Sequence, residues 1–108
     1  MSEKQKLLIV DDSELNRDIL KEILGSSYDY LEAENGTQAI QILEVHPEID
    51  LMLLDINMPQ MNGFQVLEHM RELQWIDEIP VVMISSEESV EIMRKAYDLG
   101  ITDYISRP

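Results

Sequence analysis

Three aspartates carry the most suggestive chemistry in this chain. Asp11 and Asp12 stand at the end of the apolar run KLLIVD (6–11), and Asp55 closes a second such run, DLMLLD (50–55). A third run, IPVVMIS (79–85), ends in Ser85 with Ser86 beside it, and a last one, ITDYIS (101–106), leads to Arg107 and Pro108. Carboxylates gathered in one place repel, so either a proton is taken up or a cation fills the gap. Oxygen donors without His or Cys suit a hard ion, and Mg²⁺ is the natural candidate. A Mg²⁺ held by a few carboxylates keeps open positions that typically face phosphate oxygens. A neighbouring carboxylate can attack phosphorus and become an aspartyl phosphate. Phosphoryl transfer then needs little beyond positioning and charge neutralisation. Ser85 could hydrogen-bond one phosphoryl oxygen and Arg107 could pair with another.

Taken singly, each residue has a plainer explanation. An Asp-Asp pair is ordinarily a solvated loop or a helix cap, and a serine after a strand is most often a cap. Asp55 could be a turn residue, and Arg107 a surface charge worth little. Their joint placement at strand ends favours a site, because ligands of open parallel sheets lie beyond the carboxyl ends of the strands.

The elements that must deliver these residues can be read from periodicity. Leu15, Ile19, Leu20, Ile23 and Leu24 recur at three- and four-residue spacing, which predicts one apolar helix face between Ser13 and Gly25. YDYLEA (28–33) alternates like a strand. Ala39, Ile40 and Leu43 predict a helix over 36–46, stopped near Pro47. Val66, Leu67, Met70 and Leu73 predict another over 63–74. Met93, Ala96 and Tyr97 are expected on the inner face of a fourth helix, which Glu87 and Glu88 would begin and Gly100 would end. The Asn-Gly pairs at 35–36 and 62–63 each precede a helical pattern, so they read as strand-to-helix turns. The order βαβαβαβαβ predicts a parallel sheet with right-handed crossovers and helices on both faces. The runs 7–10, 51–54 and 81–84 lack polar alternation, as central strands do. The methionines read as gap-filling core, His46 and His69 as surface residues, and Trp75 as packing under the loop into the fourth strand.

Bulk properties narrow the classes. The 108 residues allow one domain and one ordinary core. Eight basic against twenty-two acidic residues give a formal charge of −14, which argues against a phosphate-backbone binder and for cationic partners. Without cysteine there is no disulfide framework, zinc-thiolate site or cysteine nucleophile. No signal peptide and no run approaching the ~20 residues of a membrane span is visible. A cytoplasmic domain with no membrane association is the expectation.

The segments LLIVDDSELNRDIL, LMLLDINMPQMNGFQVL, PVVMISS and DYISRP together resemble the receiver domain of two-component response regulators, the chemotaxis regulators included. The resemblance covers essentially the whole chain, and the stretch from Asp55 through Met58, Pro59 and Gly63 is its most diagnostic piece. It implies a flavodoxin-like, doubly wound sheet of five parallel strands in the order 2-1-3-4-5. It also implies that Asp55 is the phosphoacceptor, that Asp12 binds Mg²⁺ directly and Asp11 largely through water, and that Asn57 ligates the ion through its backbone carbonyl. Ser85 would be the switch hydroxyl and Tyr104 the aromatic whose rotamer follows it. The donor would be a phosphohistidine on a histidine kinase or phosphotransfer protein. The output would be a changed surface around the fourth helix and fifth strand, read by a downstream domain or protein or used for homodimerisation. Such a chain catalyses only its own phosphotransfer and slow dephosphorylation, and is not otherwise an enzyme.

Three departures from the family stand out. Arg107 occupies the place of a lysine, and a planar fork does not replace a compact ammonium conservatively. Ser86 stands where a smaller alanine is common. The family continues past Pro108 into a fifth helix, so residues 1–108 are expected to be a receiver domain trimmed before that helix, with exposed apolar surface where it would pack. A cis Arg107–Pro108 bond is a further family-based expectation. Two alternatives stay open. One is a pseudo-receiver that only binds a protein, with phospho-signalling impaired by Arg107. The other is a Mg²⁺-dependent phosphohydrolase, disfavoured because Asn57 stands where a general acid is needed and no cap-sized insertion exists.

Overall fold

A computed structural model describes residues 4–86 and 89–106. Five strands alternate with four helices: β1 (Gln5–Val10), α1 (Glu14–Leu24), β2 (Tyr28–Ala33), α2 (Gly36–Val45), β3 (Leu51–Asp55), α3 (Gly63–Glu72), β4 (Val81–Ser85), α4 (Val90–Asp98) and β5 (Asp103–Ser106). All neighbouring strands are parallel, in the order β2-β1-β3-β4-β5, as expected.

The turns that join strand to helix are chemically specified. Ser13, Asn35 and Asn62 each cap the following helix by accepting a hydrogen bond from the backbone N–H of the residue three further on. At α3 the cap is reciprocal, since the Gln65 side chain accepts in return from the Asn62 N–H. Both Asn-Gly pairs are therefore strand-to-helix turns. One element goes beyond the sequence reading: a short 3-10 turn, Trp75–Asp77, follows α3 after Gln74 adopts a left-handed conformation (φ 64). Trp75 packs from that turn onto the main core.

The core has two unequal parts. Leu8, Val10, Met52, Leu54, Val81 and Met83 point to the same face as Ala39, Leu43, Val66, Leu67, Met70 and Ala96 of α2, α3 and α4. Met52, Met70 and Met83 are fully buried there, filling core space as expected. The opposite sheet face offers Ile9, Leu53 and Ile84, onto which Leu20 and Leu24 of α1 pack.

Three inner-face expectations need correction. Leu73, expected on the inner face of a helix over 63–74, is the exposed cap residue that follows α3 at its end at Glu72. Leu15 and Ile23 were expected inside but are 67% and 74% exposed, and Ile19 is also exposed. The reason is geometric: among the described residues α1 is the only helix on its face, so only the flank carrying Leu20 and Leu24 meets the sheet. The other flank borders an apolar groove of about 590 Å³, floored by Leu53 and Ile84 and walled by Ile19, Ile23 and Ile105. Tyr97 is likewise exposed, its hydroxyl donating to Asp103 at 3.3 Å. Glu87 and Glu88 lie outside the described residues, and α4 begins at Val90 after Ser89. No helix among the described residues is long and apolar enough to cross a membrane.

Candidate functional site

Register brings the three aspartates together. Val10 pairs with Leu54 across β1 and β3, so the next residues, Asp11 and Asp55, emerge side by side at the carboxyl edge of the sheet. Asp12 follows directly. Asp11, Asp12 and Asp55 each offer one carboxylate oxygen, and these atoms lie within 4.8 Å of one another. Asp11 and Asp55 are buried, while Asp12 is exposed. The site therefore has a protected floor and an open mouth. Among the described residues this is the only group of three or more His, Cys, Asp or Glu side chains so arranged. Neither His46 nor His69 belongs to it. Both are half-buried, and His46 Nδ1 lies 2.9 Å from Glu48 Oε2 instead.

The donor set fits a small hard cation. All candidate ligands are carboxylate oxygens, drawn from two strands, with one side open for exchangeable ligands. Three carboxylates this close repel one another unless a cation or proton intervenes.

The surrounding backbone holds them rigidly. The Asp11 N–H donates to the Ala33 carbonyl at 3.0 Å, and Asp11 Oδ1 accepts from the Ser13 N–H at 2.9 Å. After Asp55 the chain turns through Asn57, exposed in the loop, and Met58, which is buried. Gln60 takes a left-handed conformation (φ 68), with the Met61 N–H bonded to the Pro59 carbonyl at 2.8 Å. The loop closes where the Gly63 N–H meets the Ile56 carbonyl at 2.9 Å. A Cβ on Gly63 would come within 2.5 Å of the Asp55 carbonyl oxygen, so only glycine permits this approach. The loop is also pinned from the side by the Gly36 N–H, which donates to the Met61 carbonyl at 3.2 Å. That contact joins positions far apart in sequence, and no local pattern announces it.

Ser85 ends β4 on the neighbouring strand. Its backbone lies one residue beyond Ile84, the register partner of Asp55, and its side chain is fully buried. Ser86 beside it is exposed. Tyr104 on β5 is 8% exposed and belongs to the main core. Arg107 and the Arg107–Pro108 bond lie outside the described residues.

One charged residue near the site was not singled out by the sequence. Arg17 is the only buried residue of α1. Its Nη1 donates to the Asp11 carbonyl at 2.6 Å and its Nε to Glu32 Oε1 at 2.9 Å. Lys21 donates to the other Glu32 oxygen at 3.0 Å. The Lys21 contact first, and Arg17 after it, hold the Glu32 carboxyl below the usual carboxylate range. The available signal was an arginine one turn into the helix that follows an acid pair.

This architecture has many known counterparts. Residues 7–108 match the family described as the response regulator receiver domain. The chain is 36% identical over 105 residues to chemotaxis protein CheY1 of Helicobacter pylori, covering 95% of this chain and 85% of that protein. It superposes on chemotaxis protein CheY4 of Vibrio cholerae with a TM-score of 0.88 at 27% identity, covering 98% of this chain and 88% of that one. It is also similar to a chain in the CheX–CheY–BeF3–Mg²⁺ complex from Borrelia burgdorferi, with a TM-score of 0.89 at 30% identity and coverages of 96% and 78%. The acid cluster, the strand order and the family match agree, and the chain belongs to the response regulator receiver domains of two-component signalling.

Proposed function

We propose that this chain is a phospho-accepting switch in a two-component phosphorelay, with Asp55 as the acceptor. The observation that carries this reading is the acid cluster: Asp11, Asp12 and Asp55 offer oxygens within 4.8 Å of one another at the carboxyl edge of the sheet. Asp11, Asp12 and Asp55 would hold Mg²⁺, with Asn57 adding its backbone carbonyl. When bound, Mg²⁺ supplies charge neutralisation for the carboxylates and for the phosphoryl oxygens.

The chain's own residues would do the rest. An Asp55 carboxylate oxygen attacks the phosphorus of a phosphohistidine on a kinase or phosphotransfer protein. The new O–P bond forms as the P–N bond breaks, and the imidazole leaves. Ser85 donates its hydroxyl to one phosphoryl oxygen, and Arg107 pairs with another. The open mouth beside Asp12 lets the donor approach. Tyr104 follows Ser85 and alters the surface of α4 and β5, which a downstream protein, an output domain or a second copy would read. The complex of a relative with CheX, and the involvement of BeF3 and Mg²⁺ in it, support this assignment by similarity. A cytoplasmic location belongs to the same reading.

Residues 1–108 would form one receiver domain.

Intact-mass measurement after incubation with Mg²⁺ and a small phosphodonor tests the switch. A single added phosphoryl group, absent in Asp55→Asn, is expected. No adduct under conditions that phosphorylate another receiver would leave only the pseudo-receiver reading, in which Arg107 impairs signalling. Arg107→Lys in the same assay measures how far the arginine alters adduct lifetime.

A further inference from the structure

We infer that Arg17 is a positioning residue for the acid site, setting the geometry in which Asp11 and Asp12 meet Mg²⁺. The inference rests on the receiver reading, which supplies the cation. Arginine is rarely buried without partners that repay its desolvation, and Arg17 is 7% exposed. It has two partners at once. Nη1 donates to the Asp11 carbonyl at 2.6 Å, and Nε donates to Glu32 at 2.9 Å.

The location of the first contact gives it leverage. The Asp11 carbonyl belongs to the peptide unit that links Asp11 to Asp12, and that unit is planar and rigid. Fixing its oxygen fixes the peptide plane that carries the Asp12 Cα, the point from which the Asp12 side chain departs. The Asp11 N–H is already tied to Ala33, and its carboxylate to the Ser13 N–H. Arg17 supplies the third constraint.

The second contact anchors the guanidinium itself. Glu32 sits on β2 in register with Ile9 of β1, and Lys21 steadies its other oxygen. One planar fork thus joins α1, β2 and the end of β1. It also places a permanent positive charge behind a site where carboxylates crowd. A lysine could reach one partner but could not present two donors at the fork's fixed angle.

Mg²⁺ affinity of the whole 1–108 chain, measured by calorimetry with circular dichroism as a check on folding, tests this. Arg17→Met keeps the side-chain bulk and is expected to weaken Mg²⁺ binding about 10-fold or more while remaining folded. Arg17→Lys should retain part of the effect, with a loss of about threefold and shifted amide resonances for Asp12 and Ser13. Lys21→Met removes a charge from the same network without touching Asp11 and should weaken binding less than Arg17→Met does. If Arg17→Met does not fold, Arg17→Lys decides alone. A folded Arg17 variant that binds Mg²⁺ within about twofold of the parent overturns the inference, as does an equal loss in Lys21→Met. If the parent binds no Mg²⁺, the receiver reading fails and this inference falls with it. Binding by the parent with no loss in the variants removes Arg17's role alone.

Discussion

Leu8, Val10, Met52, Leu54, Val81 and Met83 look toward the sheet face covered by α2, α3 and α4. Ile9, Leu53 and Ile84 look toward the face on which, among the described residues, only α1 packs. The first face is sealed by apolar contact. The second is partly open, and α1 is tied down by charge as much as by packing: Arg17 and Lys21 reach from it to Glu32 on β2. The contrast bears on the site. Asp55 and its loop lean on the sealed face through Gly63 and Gly36, while Asp11 and Asp12 lead into the helix of the open one. The proposed switch, which must hold an ion and change its surface, would draw on that difference.

The largest expected effect is on the sealed face. Leu67→Ala should cost about 2–5 kcal/mol in urea unfolding, because Leu67 is fully buried where α3 meets the core. A loss below about 1 kcal/mol would mean that this face is looser than described. Next come the two caps. Asn62→Ala and Ser13→Ala each remove a side-chain acceptor at a helix start and should cost about 1 kcal/mol. Hydrogen exchange should separate them, with faster exchange spreading along α1 in Ser13→Ala and confined to the first turn of α3 in Asn62→Ala. Equal spreading would erase the proposed contrast between the faces.

On the open face, Ile23→Ser should change stability by no more than about 0.5 kcal/mol, since Ile23 is 74% exposed. It should also weaken binding of an apolar fluorescent dye to the groove. A loss comparable to Leu67→Ala would show that something already covers that flank.

The smallest effect is electrostatic and lies at the opposite edge of the sheet from the acids. The His46 side chain first, then Glu48's own backbone N–H and Lys6, draw the Glu48 carboxyl down from 4.5 to about 2. A carboxyl that titrates lower in the folded chain stabilises the fold above its unfolded value of 4.5. That contribution fades as the pH falls from there to about 2. Glu48→Gln should therefore make the acid side of the stability–pH curve slightly shallower in that window, measured by urea midpoints. Because Glu48 is exposed, the change should shrink further in high salt.

Much of this was written in local pattern. Continuous apolar runs marked β1, β3 and β4, because strands buried on both faces need no polar alternation. Asn35 and Asn62, each followed by glycine, marked strand-to-helix turns. Asp11, Asp12, Asp55 and Ser85 could be assigned to one edge because every strand of a parallel sheet ends there. The helix period was correct for α2 and, through Val66, Leu67 and Met70, for α3, whose apolar stripes have neighbours on the sheet and on each other. It overran at Leu73, the exposed cap residue after α3. It misled for α1, where the stripe of Leu15, Ile19 and Ile23 has no packing partner on its outer flank among the described residues.

The sequence by itself therefore determined the element order, the parallel sheet and the identity of the acid cluster, since these follow from periodicities of a few residues. The tertiary structure decided which of α1's charges is buried, how Glu32 comes beneath Arg17, and how Gly36 latches the loop after Asp55. Those contacts depend on strand register and on the distance between elements. Both are set by the packing of the whole sheet, which no short window of residues encodes.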